Sequence, residues 1–204
     1  MRFWNVVASI VLACAMPAAA MAKPTYTTKY AYYSIKGENA EEVYRAMLSR
    51  GPRVNGVKAY AATTATTTQG GHMAQGQSCR IEDYKLSLDF VIKLPKIRNE
   101  RVLPARDRKR WQQFAAFLKK HEEQHRAIWL GCAADLERKV KSIRLKNCAD
   151  ADERARKLWE RMRASCSKKH NAFDTAEQKR LMKHPFVKLV YNRKIRATRA
   201  AYAE

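Results

Sequence analysis

The sequence predicts an α+β fold, a small antiparallel or mixed sheet from the N-terminal half packed on a long antiparallel helical hairpin. Three observations predict it. Tyr84, Leu86, Leu88, Phe90, Ile92 and Leu94 alternate with Lys85, Ser87, Asp89 and Lys93, the period of a strand with one covered face. From Trp111 onward the apolar or ring-bearing positions are Phe114, Leu118, His121, His125, Ile128, Cys132, Leu136, Val140 and Ile143, steps of three and four throughout. A second helical run follows a short polar break at Lys146 to Asp150.

The elements follow in order. Residues 1–22 read as a signal peptide: Met1 and Arg2 form a basic start, Phe3 to Ala15 is mostly apolar, and Ala20-Met21-Ala22 is an A-x-A cleavage site. Cleavage after Ala22 is expected, with lipidation at Cys14 as the alternative. Both place the protein in the periplasm or outside the cell, and no later stretch is long and apolar enough to span a bilayer. Residues 23–204 read as one domain, sheet-rich over 23–95, helical over 107–180 and basic over 185–204. Tyr26 to Ile35 is rich in Tyr and Thr and reads as a strand; Asn39 to Arg50 is a short helix stopped by Gly51-Pro52. Val57 to Thr68 reads as a strand, and the glycines at 70, 71 and 76 as a flexible loop that exposes His72. The alternating strand is expected to end at Pro95. Helices are expected at about 107–145 and 151–178, the second capped by Asp150 or Asp152, and after His184-Pro185 a shorter basic segment to Glu204, helical and frayed at its end. His184 itself reads as a capping or surface residue.

Within the first long helix, His121-Glu122-Glu123-Gln124-His125 spells H-E-x-x-H. Spacing of four puts both imidazoles on one helix face, where their nitrogens can bind one Zn²⁺ per chain, and sets Glu122 beside the metal to take a proton from its water. Both histidines fall on the buried stripe, so something there must satisfy their nitrogens. Two core histidines bonded to neighbouring side chains are the plain alternative.

Lys and Arg number 41 against 19 Asp and Glu, a net charge of +22; loss of residues 1–22 removes Arg2 and leaves +21 on 182 residues. For an exported chain the accessible anionic partner is an envelope surface, such as lipopolysaccharide phosphates or lipid headgroups, and nucleic acid is not expected. A solvated basic surface is the plain reading of the same charge. Four cysteines remain after Cys14 is removed, which in an oxidising compartment suggests two disulfides.

Antiparallel helices bring together residues equidistant from their turn. With the turn centred on Ala149, Cys132 and Cys166 each lie 17 positions away and face one another, leaving Cys79 for Cys148. The same register sets His125 opposite Phe173 and His121 opposite Glu177. A catalytic zinc needs three protein ligands and an open position, so Glu177 is the favoured third ligand, with Asp174 the partner that supports a ligating histidine or the alternative ligand.

The chain resembles a bacterial domain-of-unknown-function family described as predicted secreted zinc-dependent proteases. The resemblance is carried by Tyr33-Ser34-Ile35-Lys36-Gly37, Arg50-Gly51-Pro52, Cys79 and the strand ending Leu94-Pro95, Trp111 to Phe117, His121 to His125, and Phe173-Asp174. It implies a zincin-like peptidase domain with His121 and His125 as ligands and Glu122 as general base. Family members continue the last motif as Tyr-Asp-x-x-Thr-x-His-Gly, where the His resembles a third ligand; this chain has Lys179 there. The expected function is therefore an exported zinc metallopeptidase, monomeric, acting on peptide or protein substrates held along an edge strand such as the one ending at Leu94. The competing reading is a non-catalytic basic envelope protein on the same fold.

Overall fold

In the computed structural model, which describes residues 24–192, a mixed sheet from the N-terminal half packs on a helical C-terminal half. Strand β1 (Thr25–Ile35) leads to helix α1 (Ala40–Arg50), whose Asn39 cap accepts hydrogen bonds from the Glu41 and Glu42 amides, both at 3.1 Å. Gly51 ends that helix, with its amide on Met47 O at 2.8 Å. A small ribbon of β2 (Arg53–Val54) and β3 (Val57–Lys58) turns at Asn55-Gly56, whose φ values of 50° and 81° are those a tight primed hairpin demands.

Strands β4 (Ala62–Gln75) and β5 (Cys79–Ile97) form one long antiparallel hairpin, and β1 pairs with β5 in parallel, so the order is β1-β5-β4. The expected loop at Gly70-Gly71 is strand: β4 runs to Gln75 and only residues 76–78 turn. The glycines serve a bulge. At Gly71 a Cβ would lie 3.1 Å from Glu82 O and from Tyr84 Cα, and the opposite strand takes up the irregularity at Asp83, with φ 50°. The bulge shifts the buried face from Ile81 to Tyr84, Leu86, Leu88, Phe90, Ile92 and Leu94. Pro95 does not end β5. Pairing with β4 stops at Lys93, so the proline sits where β5 is bonded only to β1 and lacks little by having no N–H.

Helix α2 (Ala105–Lys141) and helix α3 (Cys148–Lys183) form the hairpin over the sheet. Asn147, rather than Asp150 or Asp152, caps α3 by accepting from the Asp150 amide at 2.8 Å. After His184 a last helix, α4 at 185–192, buries Phe186, Val187 and Val190, and His184 accepts from the Phe186 amide at 3.2 Å; the frayed end expected beyond it lies outside the described residues. His72 is exposed beside Glu82.

Two cores form along α2. The first joins Trp111, Phe114 and Leu118 to α1, the end of β5 and α4; the second joins Leu136 and Val140 to Leu86, Leu88 and Phe90. Disulfides Cys132–Cys166, with Cα atoms 6.0 Å apart, and Cys79–Cys148, at 5.1 Å, tie α2 to α3 and the start of α3 to the sheet. The second is reinforced by paired backbone bonds between Cys79 and Leu145. These bridges are compatible with an extracellular or periplasmic location. No described helix is long and apolar enough to cross a membrane; the signal-peptide expectation, residues 1–22 with Cys14, lies outside the described residues.

Candidate metal centre

The H-E-x-x-H segment occupies the stretch of α2 between the two cores, after Leu118 and before Cys132. Both imidazoles point toward α3. His121 Nε2 and His125 Nε2 are 3.1 Å apart, and Asp174 Oδ1 lies 3.3 Å from the first and 2.9 Å from the second. Phe173 lies against both rings, roughly parallel to His121 with centroids 4.8 Å apart and edge-on to His125 at 5.1 Å. The rings are mostly covered, with side-chain exposures of 19% and 14%, while Asp174 at 52% forms the open side.

The triangle has no complete hydrogen-bond solution. Asp174 Oδ1 can accept from both ring nitrogens when each carries a proton, but the edge between those nitrogens then has no acceptor. A cation at the centre satisfies all three atoms at once. Zinc bonds of about 2.0–2.2 Å in tetrahedral array set ligand atoms about 3.3–3.6 Å apart, so the observed edges of 2.9, 3.1 and 3.3 Å would open by a few tenths of an ångström around the ion. Two imidazoles and a carboxylate are also a donor set that zinc accepts. Among the described residues these three form the cluster of potential ligand atoms within 4.8 Å of one another.

Register counting favoured Glu177. The structure instead brings Asp174 to the ring nitrogens, and Glu177 pairs with Arg180 at 2.9 Å while lining the same cleft. The reason is lateral. Register measures height along the hairpin, but the rings lean toward each other and converge near the level of His125, where Phe173 and Asp174 stand. Lys179 is exposed and does not line the cleft.

His125 Nδ1 lies 2.8 Å from His170 Nδ1, and His170 Nε2 faces Cys166 Sγ at 3.7 Å. Were a cation to take up His125 Nε2, the proton of that ring would sit on Nδ1 and His170 would accept it, fixing ring and tautomer. Burial pulls the proton affinity of His121, His125 and His170 below the ordinary range, favouring neutral imidazoles.

Glu122 is 4% exposed, and burial pushes its carboxyl up to about 7 against the pull of its hydrogen bond from Thr63. The Thr63 hydroxyl lies 2.8 Å from Oε2 and 3.0 Å from the Glu122 carbonyl. Glu123 turns the other way, accepting from Tyr30 at 2.5 Å, and Arg126 donates to Thr28 at 3.1 Å, so the back of α2 is fastened to β1. The site opens into a cleft of about 650 Å³ walled by α2, α3, the β2–β3 ribbon and the start of β4.

Thr63, His170 and Phe173 had no assigned role in the sequence. Thr63 is one of several threonines on β4 and only the strand register selects it; His170 could have been singled out as the residue four before Asp174 and four after Cys166. Fold and site together define an α+β protein with a candidate metal centre between two disulfide-bridged helices. Residues 30–182 match the family described as bacterial protein of unknown function, DUF922, and the chain belongs to that family. Neither the curated proteins nor the solved structures contain a match.

Proposed function

We propose that this chain is an exported zinc-dependent peptidase in which His121, His125 and Asp174 hold one zinc ion and Glu122 is the general base. The observation that carries the reading is the convergence of three ligand-type atoms beside a buried carboxyl that titrates near 7. Zinc held there supplies carbonyl polarisation and a water acidic enough to lose its proton near neutral pH. Glu122 would accept a proton from water on Oε1, since Oε2 is engaged by Thr63, and would return it to the departing amine. A base poised near the working pH can do both. His170 and Phe173 hold the rings still, and burial keeps both imidazoles neutral and able to donate lone pairs.

For substrate the strand to consider is β4. The strand ending at Leu94 is central, with β1 on one side and β4 on the other, and so has no free edge beside the site. β4 is an edge strand, carries Thr63, and borders the cleft from Ala62, so an extended peptide added to it would pass the metal centre.

The test is hydrolysis of a casein or peptide library by the zinc-loaded protein. Glu122→Gln should retain zinc and lose hydrolysis. Glu123→Gln should stay within about threefold of wild type, because its carboxylate faces Tyr30, about 100° round the helix. Equal losses in both variants, or no hydrolysis by wild type, would reject the assignment in favour of the non-catalytic reading.

A further inference from the structure

We infer that a second groove, between the C-terminal half of α2 and the N-terminal half of α3, binds an anionic amphiphile, with a phosphate group on its cationic rim and an aliphatic chain on its floor. The groove measures about 550 Å³ and shares no lining residue with the metal cleft, so the inference is independent of the peptidase reading. Its size falls in the range of small-molecule sites.

The floor is apolar. Leu136, Ile143 and Met162 are buried beneath it, and Leu145 and Leu158 are half-buried in its wall. The rim is basic: Lys139, Arg144, Arg154, Arg161 and Lys169 line it, against Asp135 as the one carboxylate. Asp135 is already held by Arg138 and by Lys139, the latter at 2.6 Å. Arg144 is fixed at the mouth by donating to the carbonyls of Lys141 and Ile143 at 2.8 and 2.6 Å.

What distinguishes the rim is that its cations border an apolar floor. Some cations of α3 are matched, Lys157 with Glu153 at 2.5 Å, Arg156 with Glu160 at 2.9 Å and Arg180 with Glu177 at 2.9 Å, whereas Arg163, Lys168, Lys179 and Lys183 on its other faces are not, among the described residues. Arg154 and Arg161, two turns apart with Leu158 between them, have no carboxylate partner among the described residues. Two guanidinium groups without carboxylate partners thus flank an apolar floor. Guanidinium groups recognise phosphate oxygens in pairs. A free inorganic ion would satisfy the rim and leave the floor wet, whereas a chain attached to the phosphate would cover it.

Calorimetric titration of the full, oxidised protein with octyl phosphate, inorganic phosphate and octyl glucoside tests this. Octyl phosphate should bind saturably at one per chain, with the other two at least about tenfold weaker. The double variant R154Q/R161Q should weaken octyl phosphate binding about tenfold or more. The charge-matched R156Q/K157Q, whose residues do not line the groove, should change it less than about twofold. Leu158→Asn should weaken octyl phosphate while leaving inorganic phosphate unchanged. Absence of saturable octyl phosphate binding, inorganic phosphate binding as tightly, or equal losses in the two double variants would overturn the inference.

Discussion

Glu122 shows most clearly how position in the chain becomes chemistry. One residue beyond His121 on α2, it is carried under β4, loses its water, and meets only the Thr63 hydroxyl. Its carboxyl rises from an ordinary 4.5 to about 7. Between those values the metal-free folded protein holds a proton that the unfolded chain has released. Its contribution to stability is therefore full below about 4.5 and is lost as pH rises through about 7. The buried histidines run the other way: lowered in the fold, they add stability above about 6.5 that is lost as pH falls. Glu122→Gln isolates the first effect. In urea unfolding of the metal-free protein, wild type minus variant should fall between pH 5 and pH 8 by up to roughly 3 kcal/mol, at 1.36 kcal/mol for each tenfold change in proton affinity. A difference independent of pH would mean that Glu122 is not desolvated.

His121, Glu122 and His125 were legible in the sequence because all three lie on one helix, where spacing alone fixes direction. Asp174 was legible only as a neighbour of the favoured Glu177. Choosing between them requires knowing how far sideways the rings reach, and counting along a helical hairpin carries no lateral information. Thr63 depends on a strand register that low-complexity threonine repeats do not specify.

At the scale of elements, the hairpin was readable because its cysteines sit at equal distances from the turn. Cys132 and Cys166 meet as that symmetry requires. The extent of the strands was less readable. Glycines at 70 and 71 suggested a loop, yet they lie within β4 opposite a bulge in β5, since a local residue preference yields to a long paired neighbour. Pro95 was expected to end β5, but a strand bonded on one side tolerates it. The Cys132–Cys166 bridge spans a sequence separation of 34, for which loop closure contributes about 4 kcal/mol. Replacing both cysteines by alanine should cost a comparable amount in denaturant unfolding. It should also weaken zinc binding, because Cys166, His170 and Asp174 follow one another at intervals of four on α3. Zinc affinity unchanged after loss of the bridge would show that the helix pair holds its register without it.

Across the whole molecule, the centre lies in the gap between two cores, each of which fastens a different half of α2. Tyr30 and Arg126 tie the back of that helix to β1 and Thr63 secures its front to β4. The site is thereby built on regular elements rather than loops, which suits a metal site whose ligands must be held in place before the ion arrives. The measurement that bears most directly on this account is titration of the oxidised protein with zinc against a competing chelator, for wild type, Asp174→Ala and Glu177→Ala. One ion per chain should bind wild type tightly. Asp174→Ala should lose at least about 100-fold in affinity, and Glu177→Ala, whose carboxylate is paired with Arg180, should lose less than about tenfold. Wild-type protein that takes up no zinc, or binding that survives Asp174→Ala and collapses with Glu177→Ala, would contradict the centre described.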